Sequence, residues 1–423
     1  MSVVSVAQQS TISSDAAPRA PQLSSPGDEQ IAARILADVR AYVPTLRERA
    51  RQTEVLRRVP DETIKELDEL GVFRMCVPVE YGGYALTPVQ QFDIVAEIAR
   101  GCGSTGWVVW VTTTSQQWVS FFDPRFQAEL FGMGWVGPLN SGVITAWGPG
   151  FARRVEGGYM LKGRWPFNSA CHHTPFHHLG ASCEGETDQG PILLQVPHEQ
   201  LQILDDWRVM GQRGSGSNTV VIEDEVFVPE YRVRPIGDIF AAKRLAPAPA
   251  GVLYQVNLIQ HTASLMAAIA VGLARSAVEL FQEKIHRRGI SNSIYSSQSE
   301  APVTHLQLGE LHCQLRTVEM LARGNVEKVQ VLAATGQPAD ELEIARTKLE
   351  SAHAIKLASE ITALTLRAGG ASSIMDGNPF ERLFRDSRVV TLHAHTQIET
   401  CQEDYGRAFA KANAPAPAAA TQQ

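Results

Sequence analysis

Four stretches of helical apolar periodicity fill the C-terminal part of the chain, at roughly 258–288, 303–335, 339–368 and 379–410. Helices this long bury a stripe along their whole length only against one another. Four in succession therefore imply an antiparallel four-helix bundle around a shared apolar seam. The first contains the most apolar run, Ala263–Leu273. That run is shorter than a bilayer span and rich in Ala and Gly, so it is expected to be a core helix and not a membrane segment.

Upstream the pattern changes twice. Between residues 28 and 134 apolar residues again recur at helical spacing, first at Ile31, Ile35, Val39, Val43 and Leu46, then at Ile64, Leu67 and Leu70. Pro60-Asp61 opens the second of these helices and Gly71 closes it. A further helix is expected from Thr87 to Arg100. From 135 to 240 short alternating runs such as Tyr159-Met160-Leu161-Lys162 and Thr219-Val220-Val221-Ile222 alternate with Gly-rich turns, which reads as a β-domain. The expected organisation is a helical domain (28–134), a central β-domain (135–240) and the bundle (250–412). Ser-, Ala-, Pro- and Gln-rich tails at 1–27 and 413–423 have little to bury and are expected to be disordered.

The bulk properties exclude several classes. A net charge of −7 with no Lys/Arg run gives nucleic acid nothing to bind. A hydrophobic content of 44% and a charged content of 20% are those of an ordinary soluble globule. Six scattered cysteines without a CxxC pair, and no basic segment leading into an apolar leader, point to a cytoplasmic chain with reduced thiols. Gly148-Pro149-Gly150 does not open a helix and no phosphate-binding loop appears, so no nicotinamide nucleotide site is expected.

Three motifs occur in a telling order. They are Val77-Pro78-Val79-Glu80-Tyr81-Gly82-Gly83, then Gly211-Gln212-Arg213-Gly214-Ser215-Gly216-Ser217 followed by Val226-Phe227-Val228-Pro229, then Ala368-Gly369-Gly370-Ala371 ahead of Arg385-Asp386. Together with the helix–β–helix order, they resemble the acyl-CoA dehydrogenase superfamily. The implied fold is mainly α with a central, barrel-like β-domain. The family's catalytic Tyr-Glu-Gly-Thr is matched here by His393-Ala394-His395-Thr396, so its carboxylate base is replaced. Gly103-Ser104-Thr105-Gly106-Trp107-Val108, Trp165-Pro166-Phe167-Asn168-Ser169-Ala170-Cys171 and the two histidines are more similar to oxygenase components of two-component flavin monooxygenases, of the 4-hydroxyphenylacetate hydroxylase, dibenzothiophene monooxygenase and nitrososynthase types.

That resemblance implies reduced FMN or FAD and O2 as co-reactants and a separate NAD(P)H:flavin reductase as partner. It implies a flavin C4a-hydroperoxide as the oxygenating species, an aromatic, heteroaromatic or amine small-molecule substrate, and a homotetramer. It assigns His393 as catalytic base or substrate-orienting residue and Ser169 as hydrogen-bond donor to the flavin. Trp165, Asn168, Ser215, Ser217, Arg287, Arg288, Gly369 and Gly370 are further cofactor candidates, and Trp107, Ser115, His172, His173 and His395 are substrate candidates. If residues 379–410 form one helix, His393 and His395 lie about 200° apart and only one faces the site. Ser115 stands where aromatic hydroxylases of this type carry a histidine, within Thr112-Thr113-Thr114-Ser115-Gln116-Gln117, a cluster able to hydrogen-bond a polar substrate. His172, His173, His177 and His178 lack an acidic or cysteine partner at metal-site spacing, so no metal is expected. Two other functions remain open: an FAD-dependent acyl-CoA-type dehydrogenase taking its base from elsewhere, for example Glu279, and a helical assembly protein without catalysis.

Overall fold

The structure, a computed structural model, describes residues 26–134, 136–144, 150–184 and 190–414. Most of both expected tails therefore lies outside the described residues. The N-terminal part is helical: α1 (Pro26–Leu56), α2 (Asp61–Glu69), α3 (Pro88–Gly101), α4 (Gly103–Val119) and α5 (Pro124–Gly132). Local chemistry sets the ends. Thr87 and Gln90 form a reciprocal capping box at the start of α3, and Pro60 precedes α2 while Gly71, with φ +90°, follows it.

The central part carries β1 (Asn140–Val143), β2 (Gly150–Val155), β3 (Gly158–Trp165), β4 (Phe176–Cys183), β5 (Ile192–Pro197), β6 (Gln202–Ile203), β7 (Val220–Pro229) and β8 (Val233–Pro235), then a short α6 (Ile236–Phe240). The strands run in the order β6-β7-β3-β2-β4-β5-β8, with β1 added parallel to β4. The ladder is open at β6 and β8. Its inward residues from both halves, among them Leu161, Trp165, Leu179, Leu194, Val196 and Val220, form one core.

The C-terminal part comprises α7 (Leu258–Lys284), α8 (Pro302–Ala334), α9 (Glu341–Ala368), α10 (Pro379–Val390) and α11 (Ile398–Ala412). Asn257, Asp340, Asn378 and Gln397 each cap the helix that follows them with a side-chain oxygen. Here one expectation is corrected. The fourth bundle stretch is not one helix: it breaks at residues 391–397. Thr396 N–H closes a turn on the His393 carbonyl, and Gln397 accepts from Thr400 N–H to start α11 afresh.

By length and hydropathy α7 would cross a bilayer, but 83% of its apolar window is buried inside the fold. It packs against α3, α4, α8, α9 and α10. One apolar core accordingly runs through the N-terminal helices and the bundle, joining Ile35, Phe92, Trp110, Leu273, Val318 and Ile361. The two helical parts share an interior, and the β-domain packs on them through Trp118, Phe122, Phe126 and Phe176.

Candidate active site

Three segments distant in sequence meet at Trp107. Its indole N–H donates to Ser169 Oγ at 3.1 Å, across the junction between α4 and the β-domain. Its ring packs edge-on against His393 at 5.5 Å, and Trp110, one helical turn on, packs against the same imidazole at 5.4 Å. The break at residues 391–397 makes this possible, because it turns His393 inward from the end of α10. It also corrects the expectation that only one histidine faces inward. The His393 and His395 rings stack at 5.5 Å, and the His395 backbone N–H donates to His393 Nδ1 at 3.3 Å. Burial, with His395 beside it, lowers the His393 pKa to about 3, so the imidazole is neutral at physiological pH. With Nδ1 accepting, the proton of that neutral ring is assigned to Nε2.

Ser169 follows β3 at the start of a turn that holds Phe167 at φ +64° and Ala170 at φ +61°. Its hydroxyl lies 2.7 Å from Ser217 Oγ, which lies 2.7 Å from Ser215 Oγ, a chain of three buried hydroxyls. Asn168 is fully buried; its Oδ1 is met by Ser141 Oγ and His177 Nδ1, and its Nδ2 has no partner. Trp165 is corrected: it is 0% exposed in the β-core with its N–H on the Gly180 carbonyl, so it presents no face to a cofactor. The aromatic that does stand out is Phe167, 68% exposed and edge-on to Trp207 at 6.0 Å. Strand alternation hides this, because a turn residue at positive φ is not assigned to Phe by any propensity.

The Gly211–Ser217 turn is fixed from three sides. Gly214 N–H donates to Ser104 Oγ at 3.1 Å, Gln212 N–H to Asp386 Oδ1 at 2.6 Å, and Arg385 to the Met210 carbonyl. Gly211 is required by close approach, since a Cβ there would sit 2.2 Å from the Arg385 carbonyl oxygen.

Arg288 donates to the Gly369 carbonyl at 2.8 Å and to Ser372 Oγ at 3.1 Å, and Lys284 donates to Ser373 Oγ at 3.0 Å. Gly370, at φ +71°, lies so close that an added Cβ would fall 2.6 Å from the Arg288 guanidinium. Arg287 is exposed beside this group. Lys284 and Arg288 have no carboxylate partner among the described residues.

Other expected contacts separate. The hydroxyls of Thr112, Thr113, Thr114 and Ser115 all return to backbone carbonyls of their own helix, so this cluster offers a substrate little. Gln117 instead joins the Leu253 carbonyl to the buried His261, a residue the sequence did not single out. The four clustered histidines part company: His172 goes to Asn218, His173 to Asp61, His177 to His198, and His178 to Asn140. His173 therefore sits in the seam with α2 and not in a substrate pocket. His172 lines a cleft of about 410 Å³ with Glu129, Thr174, His198 and Arg232, none of them a member of the Trp107 group. Glu279, the alternative carboxylate base, is held by Arg47 and Arg100.

Residues 29–120 match the model of the acyl-CoA dehydrogenase N-terminal domain and residues 264–398 that of its C-terminal domain. The fold and these domains define a protein of the acyl-CoA dehydrogenase superfamily. Within it, the chain is 30% identical to the flavin-dependent monooxygenase oxygenase subunit HsaA of Rhodococcus jostii, over 86% of this chain and 95% of that protein. It is 32% identical to a pigment production hydroxylase of a Rhodococcus species, over 87% and 94%. Its structure matches that of XiaF from Streptomyces, solved in complex with FADH2 and glycerol, with a TM-score of 0.84 and 26% identity over 92% of this chain and 98% of that one. The chain belongs to the family of flavin-dependent monooxygenase oxygenase subunits.

Proposed function

We propose that this enzyme takes reduced flavin from a separate NAD(P)H:flavin reductase and places one atom of O2 on an aromatic or heteroaromatic substrate. Trp107 carries the reading: it ties the buried Ser169 hydroxyl to the neutral, half-buried His393 in one group. Reduced flavin, when bound, supplies the two electrons that activate O2, so that one oxygen enters the substrate and the other leaves as water.

The chain's residues fit that group. If the hydroxyl chain runs from Ser215 through Ser217 to Ser169, Ser169 accepts from Ser217 and from Trp107 N–H. Both lone pairs are then used, and its own hydrogen is free to donate to the cofactor edge. The unpartnered Asn168 Nδ2 is a second donor in search of an acceptor. Phe167 offers an apolar face. Arg288 and Lys284, with Ser372, Ser373 and Gly370, form a cationic nest suited to the cofactor phosphate. His393 suits substrate orientation better than proton abstraction, since its Nδ1 is occupied by the His395 N–H and its Nε2 carries the hydrogen.

The Trp107–Trp110–His393 packing excludes water, which strengthens each of these hydrogen bonds. The acyl-CoA dehydrogenase alternative loses its support because Glu279 is neutralised by two arginines and Ala394 replaces the family Glu. A homotetramer is supported by the exposed apolar side chains Val303, Leu306, Met320 and Val331 along α8. A cytoplasmic location is supported by the buried thiols Cys76, Cys102, Cys171 and Cys401, which form no disulfide.

The test is turnover by the purified protein with reduced FMN or FAD, O2 and a panel of phenols and indoles, scoring oxygenated product against H2O2. Ser169→Ala is expected to shift the yield from product to H2O2, since oxygen activation loses a donor in a dry site. If the wild type neither binds reduced flavin nor oxygenates any ring, the proposal fails.

A further inference from the structure

The Arg385-Asp386 pair does more than end a motif. Asp386 is fully buried on α10, yet its nearest hydrogen-bond donor is the backbone N–H of Gln212, on a loop of another domain, at 2.6 Å. Gln212 Nε2 returns to the Asp386 carbonyl at 3.4 Å, and Gln212 is held at φ +54°, a left-handed conformation that a non-glycine residue adopts only under constraint. Its neighbours on the turn carry the Ser215 and Ser217 hydroxyls, Ser217 Oγ meets Ser169 Oγ at 2.7 Å, and Ala170 N–H bonds the Ser215 carbonyl at 2.9 Å.

We propose that Asp386 is a positioning residue: its carboxylate clamps Gln212 N–H and thereby sets the Gly214–Ser217 backbone that presents the Ser169 hydroxyl. This rests on the flavin reading only for its consequence in binding; the clamp itself is a property of the bare protein. A buried carboxylate is a costly way to hold a loop, and a neutral side chain would serve packing alone as well. The charges facing it are Glu54 on α1 and Arg382 and Arg385 on α10, with the Cys102 thiol at the start of α4. Burial, reinforced by Glu54, raises its pKa to about 6 against the opposing arginines and the Gln212 N–H. The clamp is therefore at full strength above that pH and weakens as pH falls through it, because a neutral carboxyl is the poorer acceptor.

The experiment compares wild type, Asp386→Ala and Asp386→Asn, full-length, by amide hydrogen exchange over residues 212–217 and by reduced-FMN affinity at pH 5 and pH 8. Asp386→Ala is expected to speed exchange at these amides, and to raise the reduced-FMN dissociation constant, by about tenfold at pH 8. Asp386→Asn, still an acceptor but uncharged, is expected to fall between the two at pH 8 and to match wild type at pH 5. Unchanged exchange in Asp386→Ala overturns the proposal. If that variant does not fold, Asp386→Asn indistinguishable from wild type at both pH values overturns it instead. Absence of flavin binding by the wild type would count against the monooxygenase reading alone, because the exchange measurement still tests the clamp.

Discussion

The imidazole of His393 sits between two indoles and on a second imidazole, in surroundings too apolar for it to hold a proton. A residue so placed acts by direction and not by charge. His393→Ala is expected to leave reduced-flavin affinity within about twofold while lowering product formation by about 10²-fold, the usual scale for a positioned proton-transfer or hydrogen-bonding group. Stopped-flow product formation checks this, and wild-type turnover in the variant would remove His393 from the site. How far single residues were legible varied with their neighbours. Ser169 and His393 stood out because motif context marks them. Phe167 did not, because its exposure depends on a positive φ that the sequence gives no sign of. Ser115 looked available and is not, since a serine within a helix satisfies itself on the preceding turn.

Among the elements, the long helices were readable from periodicity alone, and their side-chain caps lie where Asn257, Asp340 and Asn378 precede apolar runs. The interruption at residues 391–397 was not readable, since Val389, Val390 and Leu392 continue the apolar pattern into the turn. What stops the helix is tertiary: His393 packs between Trp107 and Trp110, and no local propensity encodes that. The α7–α9 end is more explicit. At Gly370, φ +71° calls for glycine, and an added Cβ would meet the Arg288 guanidinium at 2.6 Å and push it aside. Gly370→Ala is expected to displace Arg288 and weaken reduced-flavin binding by roughly tenfold, the scale of one charge-assisted hydrogen bond. Fluorescence titration measures it, and an unchanged dissociation constant would separate Arg288 from the cofactor phosphate.

For the molecule as a whole, buried histidines set the acid limit. Burial lowers His173 and His261 to about 4 and His178 to about 3, against 6.5 when unfolded. Below pH 6.5 the unfolded chain takes up protons that the folded one refuses. Their contribution is thus intact above pH 6.5 and is lost as pH falls toward 4, at roughly 1.4 kcal/mol per histidine per pH unit. Asp386, shifted the other way, offsets part of this between its unfolded value of 3.8 and about 6. Thermal unfolding should be level from pH 8 to 7 and fall steeply below 6.5; a melting temperature unchanged at pH 5 would contradict the burial of these rings. Sedimentation should give four times the 46.2 kDa chain mass, and a monomer at micromolar concentration would refute the tetramer.

The contacts that build the site also close wide loops in the chain. Ser104 meets Gly214 across 110 residues, Gln212 meets Asp386 across 174, and Glu54 meets Arg385 across 331. Loop-closure entropy makes such contacts slow to form, so they wait on the packing of the elements that carry them. The proposed oxygenation site is therefore expected to be among the last parts of the molecule to be completed. A partly folded chain that holds helices and strands but no ordered Ser169–Trp107–His393 group is expected, on the proposed function, to leave reduced flavin to react with O2 in solution and yield only H2O2 and oxidised flavin.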